Sequence, residues 1–410
     1  MSFADDETFR HTKQLDARVR PHEHALPRPT SATFRFWVDQ TIAVILSSVI
    51  LISLVIIGLI ARFVGAIPRM LTRRQELVRE WDRPELFANE KLVKDMRYYA
   101  QECGFDLEDH TVTTQDGYYL RLQRVVPPNE TKKGYPVLLM HGLFQSSGSF
   151  VTSEERSLAF WLASQGYTVY LGNNRGIFDM GHREYSRWDP RFWDYTIQDL
   201  AQYDVPALVD YVCRDASSET LAYIGHSQGN AILFLALHSG IVPDIGKRIS
   251  YFCALAPAAY TGPLVSRFPL KYLAHVDKHR WVKIFGVMDF VPLMKFSYDW
   301  TPARPYAALG YQMFAFLFDW NDTHWLLRRK PKMFRFTPQP VSSETLYWWA
   351  GMGGFAARGC ILDEQEEQWF EEDFPPVALY AGGNDKLVDV HRLPACTFAQ
   401  DEDRAWRRTL

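Results

Sequence analysis

A short apolar run, Leu221-Ala-Tyr-Ile, leads into Gly225-His-Ser-Gln-Gly229, and a second apolar run, Asn230-Ala-Ile-Leu-Phe-Leu-Ala-Leu237, follows at once. No other stretch constrains the chain as tightly. The first run reads as a buried strand and the second as a buried helix. A turn this short makes the two elements cross closely, so only small residues fit beside its apex. Gly225 and Gly229 supply them and leave Ser227 at the apex, which is the arrangement of a nucleophile elbow. The serine hydroxyl is then lifted above the strand ends. The helix that follows aims backbone N–H groups and a positive dipole end at the same point. A five-residue pattern also recurs by chance in ordinary Gly-rich turns. The strand before and the helix after weigh against that bland reading.

Similar runs recur along the chain. Pro136-Val-Leu-Leu-Met140, Tyr167-Thr-Val-Tyr-Leu171, Ile249-Ser-Tyr-Phe-Cys-Ala-Leu255 and Val377-Ala-Leu-Tyr-Ala381 read as strands. Val112 to Val126 reads as a hairpin turning near Asp116-Gly117. Residues 90–101 and 198–213 read as helices, and in the second Ala201, Val205, Leu208 and Val212 share one face. Strands that alternate with helices, several of them apolar throughout, belong in a mostly parallel sheet covered on both faces. At 410 residues the chain can bury a large core, as one α/β domain with insertions or as two domains.

The net charge is −3 and no long basic block occurs, so no nucleic-acid partner is expected. Five cysteines (Cys103, Cys213, Cys253, Cys360 and Cys396) show no zinc-ligand spacing. Their odd number speaks against a disulfide framework, and buried free thiols are expected. No metal or organic cofactor is implied.

Residues 41–61 carry no charge and are long enough for one helix across a bilayer. They begin too far into the chain, and run too long, for a cleaved signal peptide. The alternative is a buried core helix. Residues 1–40 read as a disordered polar tail and 62–84 as a linker. The folded domain is expected over 85–395, with a polar tail at 396–410. Arg62, Arg69, Arg73 and Arg74 outnumber Arg28 and Arg35 on the other flank, which leans towards a cytosolic C-terminal part. The sequons Asn129-Glu-Thr131 and Asn321-Asp-Thr323 lean towards a lumenal one. Topology stays open.

Between residues 258 and 372 the alternation breaks. Trp281, Phe285, Met288, Phe290, Met294, Phe296, Trp300, Met313, Phe314, Phe316, Phe318 and Trp320 crowd this stretch. It reads as a helical cap walling an apolar pocket of the kind an acyl or sterol group needs. More core is the alternative for any one of these residues.

A serine hydrolase needs a nucleophile, a base, an orienting acid and an oxyanion hole. Ser227 is the nucleophile candidate. The hole falls to the backbone N–H groups of Gln228 and of Leu143, in the His141-Gly-Leu-Phe-Gln145 loop after a strand. The acid candidate is Asp385, just past the last strand, with Asp389 as its competitor. A turn aspartate is the bland reading of Gly-Asn-Asp.

Thr114-Gln-Asp-Gly-Tyr-Tyr-Leu120, Leu139-Met-His-Gly-Leu-Phe-Gln-Ser-Ser147, Asn173-Asn-Arg-Gly176, Phe192-Trp-Asp-Tyr195, Gln202-Tyr-Asp-Val-Pro-Ala207, Gly225-His-Ser-Gln-Gly229, Phe285-Gly-Val-Met-Asp-Phe290 and Gly382-Gly-Asn-Asp-Lys386 stand in one order. In these blocks the chain resembles the acid lipase family of α/β-hydrolases, most closely its fungal membrane-anchored steryl ester hydrolases, from about residue 85 to 390. The resemblance implies an α/β-hydrolase fold and hydrolysis of lipid esters, sterol esters first and acylglycerols besides. The reaction would run through an acyl-enzyme on Ser227, with Asp385 in the triad. It also implies work at a membrane or lipid-droplet surface, of the endoplasmic reticulum or another membrane.

One departure stands out. The family's catalytic histidine lies beyond the acid, after one more strand. Here His391 is the only histidine past Asp385, six residues on, too few for an intervening strand and helix. His226 is locked beside the serine, and His182 and His238 lie in other segments. The expectation is a chain altered at its C-terminus, without the last strand and helix and with its catalytic histidine unidentified. The alternative function is a catalytically impaired homologue that binds lipid.

Overall fold

The computed structural model describes residues 33–71 (side chains to 64), 91–130, 132–238, 241–320, 325–364, 366, 369–370 and 372–393. The polar tail at 396–410, the linker from 72 and the residues before 33 lie outside these, as do Cys396, Thr131 and the second sequon.

Seven strands form one sheet: β1 (Asp106–Thr113), β2 (Tyr119–Val126), β3 (Pro136–Met140), β4 (Thr168–Gly172), β5 (Leu221–His226), β6 (Ile249–Leu255) and β7 (Val377–Tyr380). Their spatial order is β1-β2-β4-β3-β5-β6-β7. The β1–β2 hairpin pairs antiparallel to the rest, and every pairing from β4 to β7 is parallel. Parallel neighbours cannot be joined by a tight turn, so a crossover must return the chain over a face each time. That need explains the alternation in the sequence. β3 and β4 are buried at every position because both faces of the sheet are covered.

The helices that matter for the site follow in chain order: α1 (Phe34–Leu71), α2 (Met96–Glu102), α3 (Leu158–Ser164), α4 (Val205–Asp215) and α5 (Gln228–Leu237). Between β6 and β7 lie α6 (Lys278–Phe285), α7 (Pro292–Trp300), α8 (Ala303–Phe318) and α9 (Ser343–Ala350). All ten residues of α5 are buried. A helix apolar all round fits only inside the protein. Truncating one of its larger side chains, such as Leu233, to alanine costs about 2–5 kcal/mol in sites of this kind.

The sequence expectations need adjusting in five places, the first being β1, which starts at Asp106, six residues before the expected hairpin. α1 starts at Phe34 and runs to Leu71, into both the expected tail and the expected linker. Gln40 holds it there, since its side chain is buried and its Oε1 accepts the Val287 N–H at 3.3 Å. The first helix of the domain starts at Met96, where the Asp95 side chain accepts the Arg97 N–H as a cap. The helix expected over 198–213 contains a wide turn at Leu200–Asp204 before α4 begins. Pro206 has no N–H to give the preceding turn, which favours such an interruption. Of the four described cysteines, all free, Cys213 and Cys360 are buried and Cys103 and Cys253 only half-buried.

Arg175, on the loop after β4, is buried with its charge. Its Nε and Nη2 donate to Asp204 Oδ1 at 2.9 and 2.7 Å, its backbone N–H donates to Asp204 Oδ2, and Nη1 donates to Asp116 Oδ2 at 2.7 Å. The guanidinium lies 3.9 Å from the centre of the Tyr118 ring. Breaking a buried pair from one side leaves an uncompensated charge. Asp204→Ala is expected to lower stability by about 3–5 kcal/mol. Urea unfolding in detergent measures this, and a loss under ~1 kcal/mol would mean that Asp116 alone suffices.

Candidate active site

The elbow forms as the glycines require. β5 ends at His226, Ser227 adopts φ 51° and ψ −111°, and α5 starts at Gln228. A positive φ on a non-glycine residue is strained, and such strain persists only where the surroundings enforce it. Here the Ser227 N–H is held by the Leu255 carbonyl at 3.0 Å, and its own carbonyl accepts from Asn230 at 3.0 Å. A Cβ on Gly225 would strike the Asn230 side chain, and one on Gly229 would strike the carbonyl of Met140. A helix, two strands and a loop therefore meet within van der Waals contact.

The loop after β3 packs onto the serine. A Cβ on Gly142 would lie 3.2 Å from Ser227 Cβ and 2.9 Å from His226 Nδ1. Gln145 fixes this contact. Its Oε1 accepts the Gly142 N–H at 2.9 Å and bonds His226 Nδ1 at 2.9 Å. An amide oxygen only accepts, so His226 carries its proton on Nδ1. Phe144, at φ 61°, is anchored from the far side. Its carbonyl accepts from Gln339 N at 2.8 Å and Thr337 Oγ1 at 2.9 Å. Gln228 is held by its side chain, whose Oε1 accepts from Trp349 Nε1 at 3.0 Å.

His141, read from sequence as part of this loop, is a buttress. It is buried, its Nδ1 bonds the Gly142 carbonyl at 2.8 Å, and its Nε2 faces the Asn174 N–H at 3.3 Å. Nε2 must accept there, so the proton sits on Nδ1 and the ring is neutral. Burial pushes its pKa down to about 4.

Ser227, Leu143 and Gln228 line one cavity of about 260 Å³. Leu387 and Val388, just past Asp385, line it too. Asp385 Oδ1 accepts the N–H groups of Leu387 at 2.9 Å and Val388 at 3.2 Å. Oδ2 has no partner among the described residues. Burial lowers the His226 pKa, and the Asp385 carboxylate pulls it back up, which puts the two groups in each other's field. Asp389 instead accepts the His391 N–H at 3.0 Å. His391 is exposed and is not among the lining residues. His182 faces the Asp116 carbonyl at 2.8 Å, and His238 faces Glu366 at 2.6 Å. Among the described residues, the one histidine in the cavity lining is His226. No cluster of three or more His, Cys, Asp or Glu among the described residues is placed to hold a metal ion.

The aromatic stretch divides. Trp281, Phe285, Phe290, Met294, Met313, Phe314, Phe318 and Trp320 line the cavity. Phe296 and Trp300, on α7, are exposed, and Met288 joins the main core instead. Sequence reasoning missed Gln145 as the link between loop and elbow, Trp349 as the anchor of Gln228, and α1 as a cavity wall through Ser47, Ile50, Leu51 and Leu54. Gln145 stood within a motif already singled out. The pairing of α1 with the cavity has no local signal.

Residues 96–154 match a family model described as a partial alpha/beta-hydrolase lipase region. Sterol esterase 2 of Saccharomyces cerevisiae is 31% identical over 351 residues, covering 74% of this chain and 64% of that protein. The chain thus spans less than two thirds of that relative's length. A probable lipase of Schizosaccharomyces pombe is 32% identical, over 67% of each chain. Human lysosomal acid lipase/cholesteryl ester hydrolase is 29% identical, over 70% of this chain and 77% of its own.

The His141 geometry sets a pH dependence. Between its ordinary value of 6.5 and its folded value of about 4, the unfolded chain binds a proton that the folded chain refuses. Stability from this group is full above pH 6.5 and lost as pH falls towards 4. His141→Gln is expected to flatten the wild-type decline over that window by up to about 1.4 kcal/mol per pH unit. Urea midpoints at both ends of the range measure it, and equal slopes would mean that His141 titrates normally.

Proposed function

The chain belongs to the acid lipase family of α/β-hydrolases, and on that premise we propose that it hydrolyses lipid esters, sterol esters foremost, by an acyl-enzyme mechanism on Ser227. The observation that carries this reading is the contact of the Gly142–Leu143 loop with a strained Ser227 at the wall of an apolar cavity. In the ground state the ester's acyl chain occupies the cavity, with its carbonyl against Ser227. Attack of Oγ on the carbonyl carbon moves negative charge onto the carbonyl oxygen. The backbone N–H groups of Leu143 and Gln228 are the donors for that charge, and removing one such donor typically costs about 10²–10³ in kcat. An imidazole oriented by Asp385 would take the serine proton and give it to the departing alkoxide, so that the alcohol leaves, and would then take a proton from the water that releases the fatty acid and return it to Ser227 Oγ. Asp385 takes the role of orienting acid, with Oδ1 fixed by two backbone donors and Oδ2 left for an imidazole. The relatives named as sterol esterase and as cholesteryl ester hydrolase favour sterol esters. α1 is long and apolar enough to cross a membrane, and we assign it the anchor of a protein working at a membrane or lipid-droplet surface.

A second reading rests on one specific observation. The single histidine in the described cavity lining, His226, donates its Nδ1 proton to Gln145, and among the described residues no hydrogen bond joins its ring to Ser227. A lipid-binding protein with impaired chemistry would have such a site. Fatty-acid release from a sterol oleate, with fluorophosphonate labelling of Ser227, separates the two. The hydrolase releases fatty acid, and Ser227→Ala lowers the rate at least about 10³-fold. Equal rates in the two proteins would remove Ser227 as nucleophile, whereas no release and no labelling would favour the binding protein.

A further inference from the structure

The cavity beside Ser227 has a wall from far away in the chain. Ser47, Ile50, Leu51 and Leu54 of α1 line it. They fall on one stripe of the helix, at intervals of three and four. The wall is tightly built. Ala43 and Ser47 are fully buried against the domain. A Cβ on Gly286 would strike the Gln40 side chain, and one on Gly58 would lie 2.9 Å from the Gln312 carbonyl oxygen in α8. From Gln40 to Gly58 this seam is about 27 Å long at ~1.5 Å per residue, close to the ~30 Å of a bilayer's hydrocarbon core. A helix joined to its domain over that length is no free stalk. Whatever solvent covers its outer face also meets the helices it packs on.

That outer face is apolar: Ile45, Ile56, Ile60 and Phe63 are all exposed. The apolar surface continues across the seam. Phe268 and Tyr272 are 53% and 65% exposed, and the Phe268 ring lies 6.3 Å from that of Phe316, a neighbour of Gly58. The same segment turns Pro269, Leu270 and Leu273 into the cavity. Ile50 is both cavity-lining and 38% exposed, so the cavity reaches the surface at α1. Arg267 and Lys271 are exposed beside Phe268 and Tyr272, so the rim is mixed, and its apolar part is unfavourable against water and favourable against lipid.

We propose that α1 is a working part of the substrate site: a lipid ester enters sideways from the membrane, between α1 and the 265–273 segment, and lies against Leu51 and Leu54 with its ester at Ser227. This rests on the reading of Ser227 given above. A sterol ester gains nothing by leaving the lipid phase, and this route lets its apolar part stay in lipid or in the cavity throughout. The site thereby selects long apolar chains, and α1 does more than anchor.

The test uses the full chain in phosphatidylcholine vesicles with a sterol ester whose acyl chain carries a diazirine. After irradiation, the labelled residues are mapped in wild type and in Ser227→Ala, alongside fatty-acid release. Labels on residues 47–54, concentrated at Leu51 and Leu54 and competed by unlabelled sterol ester, are expected in both proteins. Leu51→Trp, which fills the cavity, is expected to cut labelling at least about tenfold, the effect of a 1.4 kcal/mol penalty. Ile45→Trp, on the outer face, is expected to leave it unchanged. Labels confined to α6–α9, or spread evenly around α1 as bilayer contact alone would give, overturn the proposal. Should Leu51→Trp fail to fold, the wild-type and Ser227→Ala maps decide by themselves. Labelled Leu51 and Leu54 without fatty-acid release would sink the hydrolase reading and keep this one, and release without label on α1 would do the reverse.

Discussion

Everything in the site depends on how closely the chain crosses itself at Ser227. Gly225, Gly229 and Gly142 meet there, one from the strand, one from the helix and one from the loop after β3, and each lacks the Cβ that would force the crossing apart. The strain at Ser227 follows from the crossing, because a residue at φ 51° with its N–H held by Leu255 cannot relax without moving β6. Once the crossing is made, Ser227, the N-terminus of α5 and the Gly142 loop lie against one another at no further conformational cost. In the proposed reaction that arrangement would stand ready before any substrate arrives.

Such a crossing would be unstable without support behind it. The support is polar and buried, and it lies behind the loops rather than beneath the sheet. His141 holds the Asn174 N–H, Asn173 Oδ1 accepts the Ser147 N–H at 2.8 Å, and Arg175 locks to Asp204 and Asp116. The loops after β3 and β4 are thus tied into one unit. Buried networks of this kind are rigid when complete, and here the Asn174 side-chain amide is left without a partner among the described residues. The chain between β6 and β7 completes the enclosure, with Trp349 of α9 on Gln228 and residues 337–339, in the loop before α9, on Phe144. Polar contacts thus hold the Ser227 end of the cavity, and apolar side chains line the rest.

Much of this was legible from residue order. The strands from β2 on came out within a residue or two because continuous apolar runs between turn residues have few other uses in a chain this size, whereas β1, alternating with charged residues, starts six residues before the expected hairpin. The Asp116-Gly117 turn, the elbow and the loop after β3 were legible because each depends on glycine at a defined place. The helix over 198–213 was legible in its buried face, with Ala201, Val205, Leu208 and Val212 all buried, but not in its wide turn, since periodicity averages over a single extra residue. The aromatic stretch was legible as a group and not one by one. Phe296 and Trp300 face outward while Phe285 and Phe290 face the cavity, and composition carries no such directions.

The sequence by itself determined the α/β layering, the strained serine and the loop that faces it, because each is written in neighbouring residues whose sizes and periods admit one local structure. The tertiary structure alone decided who meets whom across the chain. Gln145 reaches His226 over 81 residues, Gln228 reaches Trp349 over 121, and Gln40 reaches Val287 over 247. It also decided that the uncharged stretch of an N-terminal helix serves as a wall of the cavity. Contacts at such separations depend on the summed packing of whole elements, and no local pattern of residue sizes or charges records that sum.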